Sequence, residues 1–319
     1  MAGKATALAD APVGKMLKTA WGLIKESISA WVGDYAPSMG AALAYYTLFS
    51  IAPLLIIVIA VAGFFLGTEA AQGEILGQIR DLIGDEGAVA VQGLLKSASQ
   101  PKQGLIAGAL GVLTLIIAAT GAFAELQSDL DRIWRSPAEK AESGIWQMLR
   151  KRLLSFGMVL AIAFLLLVSL VVSAGLAAFG AWSKALSPNL EVLLTAANIG
   201  VGFAIFTGLF ALMYKMLPKT DIHWRDVWVG AAVTALLFTI GKYLIGLYLG
   251  KAGVGSAFGA AGSLVVLIVW VYYSAQIFLL GAEFTWVYAH RCGSRSERSL
   301  ELASESCSLR APKSAPAAN

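Results

Sequence analysis

Six apolar runs, each long enough to cross a lipid bilayer, decide most of what this chain can fold into. A spanning helix rises about 1.5 Å per residue and needs about 20 mostly apolar residues. Runs of this kind fall at 40–66, 104–124, 153–180, 192–216, 227–249 and 262–288. They are rich in Leu and Ala and lack the period-two alternation of a transmembrane barrel strand, so they predict helices. In hydrocarbon every backbone N–H and C=O must be paired internally, and a helix does this unaided. The expected fold class is an all-α integral membrane protein, a six-transmembrane-helix bundle over residues 14–290. Composition agrees: the chain is 58% hydrophobic and 14% charged, where soluble domains carry roughly 25% charge.

The loops set an orientation. Eighteen of the 24 Lys and Arg residues fall in the N-terminal segment, the loops after spans 2 and 4, and the C-terminal tail. The three opposite loops hold Arg80, Lys96, Lys102, Lys184 and Lys251. The positive-inside rule then places both termini in the cytoplasm, and the even number of spans agrees. The net charge of +4 is read as this orientation signal rather than as affinity for nucleic acid. The first apolar run starts near Ala41, too far along and too long for a cleavable signal peptide, so it reads as a retained span. Cys292 and Cys307 both lie in the polar tail, where free thiols facing a reducing compartment are expected.

Outside the spans, residues 1–13 read as a flexible N-terminus. In "GKMLKTAWGLIKESISAWVGDY" the helical spacing of Leu17, Trp21, Ile24, Ile28 and Trp31 predicts an amphipathic helix. It either lies on the inner leaflet or packs on the end of the bundle, and both readings are open. Apolar residues within 67–103 predict two short helices forming an outer cap. The Ser-, Ala- and Pro-rich tail, 291–319, lacks apolar periodicity and is expected to be disordered.

Signals for catalysis are sparse. The two histidines, His223 and His290, form no HExxH pair, and neither a GxSxG elbow nor a Walker A loop occurs. "GKAGVGSAFGAAG" (250–262) places its lysine before the glycines, which suits a turn better than a phosphate cradle. The glycine pairs 104/108 and 255/259 have the spacing of close helix contacts, within one chain or between copies. The expectation is a protein that is not an enzyme, with no catalytic residue, metal or cofactor.

Four stretches carry a family resemblance: "GAALAYYTLFSIAPLL" (40–55), "ELQSDLDRIW" (125–134), "LPKTDIHWRDVWVGAAVTALLFTIGKYLIGLYL" (217–249) and "GAAGSLVVLIVWVYYSAQIFLLGAEF" (259–284). Together they resemble the YihY/BrkB family of bacterial inner-membrane proteins, over about residues 15–290. The resemblance implies architecture and location more than activity. The family once carried the label ribonuclease BN, and the lack of a nuclease metal cluster argues against that label here. One departure stands in 125–134, where Leu130, Asp131 and Arg132 precede the Ile-Trp pair and the family pattern tends to have Asn.

Polar residues at depth are the candidate site. Lys242, Asn198 and Ser173 fall at one level, roughly 10 Å below the outer boundary of spans 5, 4 and 3, with Tyr272 a turn deeper. Lys242 either faces the bundle interior or snorkels to the headgroups; Thr239, Gly246, Ala235 and Ala231 beside it favour the packed face. Toward the cytoplasm lie Tyr45, Tyr46, Thr47 and Ser50, then Pro53, which predicts a kink and a freed carbonyl at Phe49 that Ser50 could satisfy. Glu125 ends span 2. Glu283, near the inner end of span 6, is expected either to pair with Arg132 or Arg225 as a structural clamp or to serve a cavity. Two functions are carried forward: a transporter or lipid-handling protein with a polar intramembrane cavity, and an envelope scaffold. The expected partners are membrane lipids, including an anionic lipid or small acidic solute, and no nucleic acid. A homo-oligomer is left open.

Overall fold

The computed structural model describes residues 13–98, 121–136, 188–252, 258 and 261–296. Among these the chain is helical, with no strand. The elements are α1 (Val13–Gly33), α2 (Ala36–Leu66), α3 (Thr68–Ala98), α4 (described over 121–133), α5 (Pro188–Met216), α6 (Trp224–Ala252) and α7 (Gly262–Arg291). Ile199–Met216, Trp224–Leu249 and Gly262–Arg291 are long and apolar enough to cross a membrane by length and composition. Most of the expected span 104–124 and all of 153–180 lie outside the described residues.

Backbone chemistry sets the element ends. Tyr35 turns α1 into α2 with φ 58°, and α2 then starts with Pro37 in its first turn, where a missing N–H costs nothing. Gly67 ends α2 at φ 86°. α3 is two helical halves meeting at Gly84, whose φ of 79° breaks the ladder. Ile83 and Val91, either side of that break, pack with Ala44 of α2 and with Leu267 and Val271 of α7. α2 itself runs unbroken through Pro53. Ser50 Oγ donates to the Thr47 carbonyl at 3.2 Å, not to Phe49.

α7 is the hub: it touches α1, α2, α3 and α6, while α5 packs on α6. α6 and α7 run antiparallel and meet through two reciprocal glycine–threonine pairs. A Cβ on Gly230 would overlap the Thr285 hydroxyl, and a Cβ on Gly281 would overlap the Thr234 hydroxyl. Each threonine returns its own proton to the glycine four residues earlier: Thr234 Oγ1 to Gly230 O at 2.8 Å, Thr285 Oγ1 to Gly281 O at 2.7 Å. Small residues at such positions let helix backbones approach, the main source of packing energy where lipid removes the hydrophobic drive between helices. Tyr214 of α5, fully buried, completes the junction. Its hydroxyl donates to Phe278 O at 2.8 Å and lies 3.0 Å from Thr234 Oγ1.

The opposite ends of α1 and α7 are joined differently. Leu23 and Ser27 are the buried face of α1, and Glu26 pairs with Arg291. The expected apolar stripe is therefore split. Trp31 packs against the main core, whereas Trp21, Ile24 and Ile28 are exposed.

Candidate functional site

Two hollows flank α4. The first is a cleft of about 330 Å³ between α2, α4, α5, α6 and α7. Phe123, Phe206, Phe210, Phe238 and Phe278 wall it, and Thr47, Ser50 and Ser274 are its hydroxyl-bearing residues among those described. The phenyl rings also pack on one another, with Phe210 5.7 Å from Phe238 and 6.1 Å from Phe278 between centroids. Among the described residues no charged side chain lines it. Its volume lies at the low end of the roughly 300–1,000 Å³ typical of small-ligand sites. Such a lining suits a hydrocarbon chain and offers little to a hydrated ion.

The second hollow, about 380 Å³, sits where α4 ends against the α5–α6 turn, lined by Gln127, Ser128, Asp131, Arg132, Ser136 and Lys219. Gln127 Nε2 donates to Leu217 O at 3.1 Å, and Ser136 and Thr220 share a hydroxyl contact of 2.8 Å. Asp131 accepts from the Lys219 backbone N–H at 2.8 Å and faces Lys219 Nζ at 3.4 Å. The floor is fixed by the end of α4. Ser136 N bonds to Asp131 O and Arg135 N to Arg132 O, a Schellman closure that puts Arg135 at φ 48°. A non-glycine residue there costs of order 1 kcal/mol or more. The Arg135 guanidinium stacks 4.5 Å from the Trp286 ring, which holds the residue in place.

This recess belongs to a polar collar. Lys215 pairs with Asp221 and donates to Ile222 O at 2.7 Å, which holds the Asp221 carboxyl below the usual carboxylate range. Arg295 donates to Asp221 O at 2.8 Å and lies 5.3 Å over the Trp134 ring. Asp226, nearly fully buried, accepts from the Ser294 N–H and from Ser294 Oγ. Glu283, 1% exposed, faces Asp34 of the α1–α2 turn and feels Arg135. Among the described residues its Oε1 has no hydrogen-bond donor.

Asp129 lies beside the recess, 5% exposed, with no partner for Oδ2 among the described residues. Burial, then the neighbouring Glu125, pushes its carboxyl from 3.8 up to about 7, against the pull of Arg132. The folded state thus holds more protons than the unfolded chain between those values. The stabilisation is complete below the lower value and is lost as pH rises through the upper one. Asp129→Asn is therefore expected to flatten the fall in melting temperature over that window. An unchanged pH dependence would remove Asp129 as its source.

A sequence profile described as "Virulence factor BrkB" matches residues 27–305. The chain belongs to the BrkB family. Curated relatives carry the name UPF0761 membrane protein. The one from Verminephrobacter eiseniae is 26% identical over 287 residues, covering 86% of this chain and 64% of its own length. That from Tolumonas auensis is 27% identical, covering 79% and 80%. That from Pseudoalteromonas atlantica is 28% identical, covering 77% and 78%. The chain thus spans slightly under two thirds of the first relative and about four fifths of the other two. No solved structure matches.

In this BrkB-family chain the residues expected to form a site are scattered. Ser50 lines the apolar cleft, and so do its neighbours Thr47 and Leu54. Tyr45 and Tyr46 point outward, 60% and 40% exposed, and pack edge-on against each other. Glu125 lies between the cleft-lining Phe123 and Leu126 and electrostatically faces Asp129. Tyr272 packs against the cluster joining α3 to α2 and α7. Lys242 is partly exposed, with Nζ 5.2 Å from the ring centroid of its neighbour Tyr243. Ser173 and the side chains of Asn198 and Pro53 lie outside the described residues. Among the described residues no group of three His, Cys, Asp or Glu side chains is placed to hold a metal.

The residues missed from sequence are Tyr214, Thr234, Thr285, Asp129 and Asp226. A signal existed for the threonines. Gly-x-x-x-Thr occurs at 230–234 and again at 281–285, the spacing that puts both residues on one helix face.

Proposed function

We propose that this protein handles lipid in the bacterial inner membrane, with the phenylalanine-walled cleft taking an acyl chain. The observation carrying this reading is the cleft's lining among the described residues: five phenyl rings, three hydroxyl-bearing residues and no charge. This favours a hydrocarbon occupant over a polar solute crossing through a hydrophilic path. Orientation enters from charge. Arg132, Arg135, Lys215, Lys219, Arg291 and Arg295 belong to the collar, and by the positive-inside rule this face is the cytoplasmic one. α1 then lies along the inner leaflet, with exposed Trp21, Ile24 and Ile28 toward lipid and Lys18 and Lys25 toward headgroups.

Ala275 lines the cleft, so Ala275→Trp and, separately, Ala122→Trp on α4 fill it from two sides. The test is photolabelling with a phosphatidylglycerol carrying a diazirine in one acyl chain, compared at equal amounts of folded protein. Wild type should be labelled on cleft peptides, and each variant about tenfold less, a loss near 1.4 kcal/mol. Equal labelling in all three would sink the acyl-chain reading and leave the envelope scaffold, whose helices are packed rather than permeable.

A further inference from the structure

We infer that the recess between α4 and the α5–α6 turn is a binding site for a phosphate-type oxyanion, with Arg132 as its principal ligand and Lys219 beside it. This goes beyond the acyl-chain proposal. Ala122, Phe123 and Leu126 turn one face of α4 to the cleft, while Gln127, Ser128 and Asp131 turn another to the recess.

The charge balance points to an anion. Arg132 and Lys219 bring two positive charges to the lining, and Asp131 brings one negative charge. Asp131 is already engaged by the Lys219 N–H and Nζ. Arg132 is exposed. Its guanidinium rests 6.0 Å from the Tyr35 ring, and no carboxylate forms a salt bridge with it among the described residues. Asp129, one turn back and buried, is the other carboxylate it feels. A guanidinium held over an aromatic face keeps its fork of N–H donors available, the geometry that matches two oxygens of a phosphate.

The walls are also prepared. The Gln127–Leu217 and Ser136–Thr220 bonds and the Schellman closure at Arg135 fix three sides of the recess without using Arg132. Ser128 places an exposed hydroxyl on the rim. The volume of about 380 Å³ exceeds what a phosphate alone needs and leaves room for a small esterified group. Basic hollows between helices at the cytoplasmic face are where acidic headgroups bind. The same chemistry would hold a lipid phosphodiester or a free phosphate, and the experiment must separate them.

Wild type, Arg132→Gln, Arg132→Lys and Lys219→Gln would be purified, with Arg80→Gln as a distant control. Arg80 is paired with Asp85 at the Gly84 break of α3. One arm measures thermal stabilisation by inorganic phosphate against chloride at equal ionic strength. The other reconstitutes protein in an equal mixture of phosphatidylglycerol and phosphatidylcholine and counts the lipids retained by native mass spectrometry. Arg132→Gln should weaken the preference for the phosphate-bearing probe about tenfold, with Arg132→Lys in between and Arg80→Gln unchanged. Loss of phosphatidylglycerol enrichment without any phosphate effect assigns the site to headgroups. Loss of phosphate stabilisation assigns it to a free oxyanion. Lys219→Gln also frees Asp131, so its melting temperature without ligand is the reference for its own titration. If neither probe prefers wild type over Arg132→Gln, the recess does not bind an oxyanion and the inference fails.

Discussion

Gly281→Leu is expected not to accumulate as a folded protein, and Gly281→Ala to melt far below wild type. The added Cβ would meet the Thr234 hydroxyl and stand 2.6 Å from the Tyr214 hydroxyl. Both belong to one buried junction, so α6 and α7 must part and the Tyr214 bonds to Phe278 O and Thr234 break together. Overpacking costs about 1–3 kcal/mol, and stranding buried hydroxyls adds about as much again. About 4 kcal/mol is a large share of a typical total stability. The check is membrane abundance and thermal unfolding in detergent. Thr234→Ala opens the space that Gly281→Ala fills, so the double variant should lose less than the two single losses summed. Full additivity would mean that the two residues do not meet.

Asp226→Ala should release the end of α7, at a cost of about 3 kcal/mol, the scale of hydrogen bonds to a charged group. Asp226 is 2% exposed and takes the Ser294 N–H at 3.1 Å and Ser294 Oγ at 2.6 Å. These bonds fold residues 292–296 back across the start of α6, where Gly293 leaves room for the carboxylate. Trypsin cleavage after Arg291 and Arg295 reads the outcome. Wild type should resist at both, Asp226→Ala should be cut quickly, and Asp226→Asn, which keeps one acceptor oxygen, should fall between. Identical digestion of all three would show that Asp226 does not hold this segment.

Helical character and membrane residence were legible because they depend on apolar runs, a property of adjacent residues. The helix faces were not. Polarity singles out Tyr45, Tyr46, Thr47 and Ser50 alike, yet the two tyrosines point outward and the α2 residues lining the cleft are Leu43, Thr47, Ser50 and Leu54. Their spacing of four, three and four is a helical stripe, and it could have been read in place of residue polarity. The Gly–Thr junction is written twice in the sequence, but pairing 230 with 285 and 281 with 234 requires the antiparallel register of α6 and α7. Asp226 was invisible for the same reason, since its partner Ser294 stands 68 positions away. Glu283 is a buried carboxylate, and the charges acting on it among the described residues are Asp34 and Arg135.

The reciprocal Gly–Thr junction has a material consequence. It joins α5, α6 and α7 through hydroxyls, carbonyls and glycine backbone, with no ion pair among its contacts with the described residues. The collar instead depends on partly exposed charges such as Glu26–Arg291 and Asp131–Lys219, which added electrolyte screens. The two regions thus answer to different solvents. Concentrated salt is therefore expected to loosen the rim while the three-helix wedge stays shut, so that unfolding would run in sequence, rim before wedge, rather than all at once.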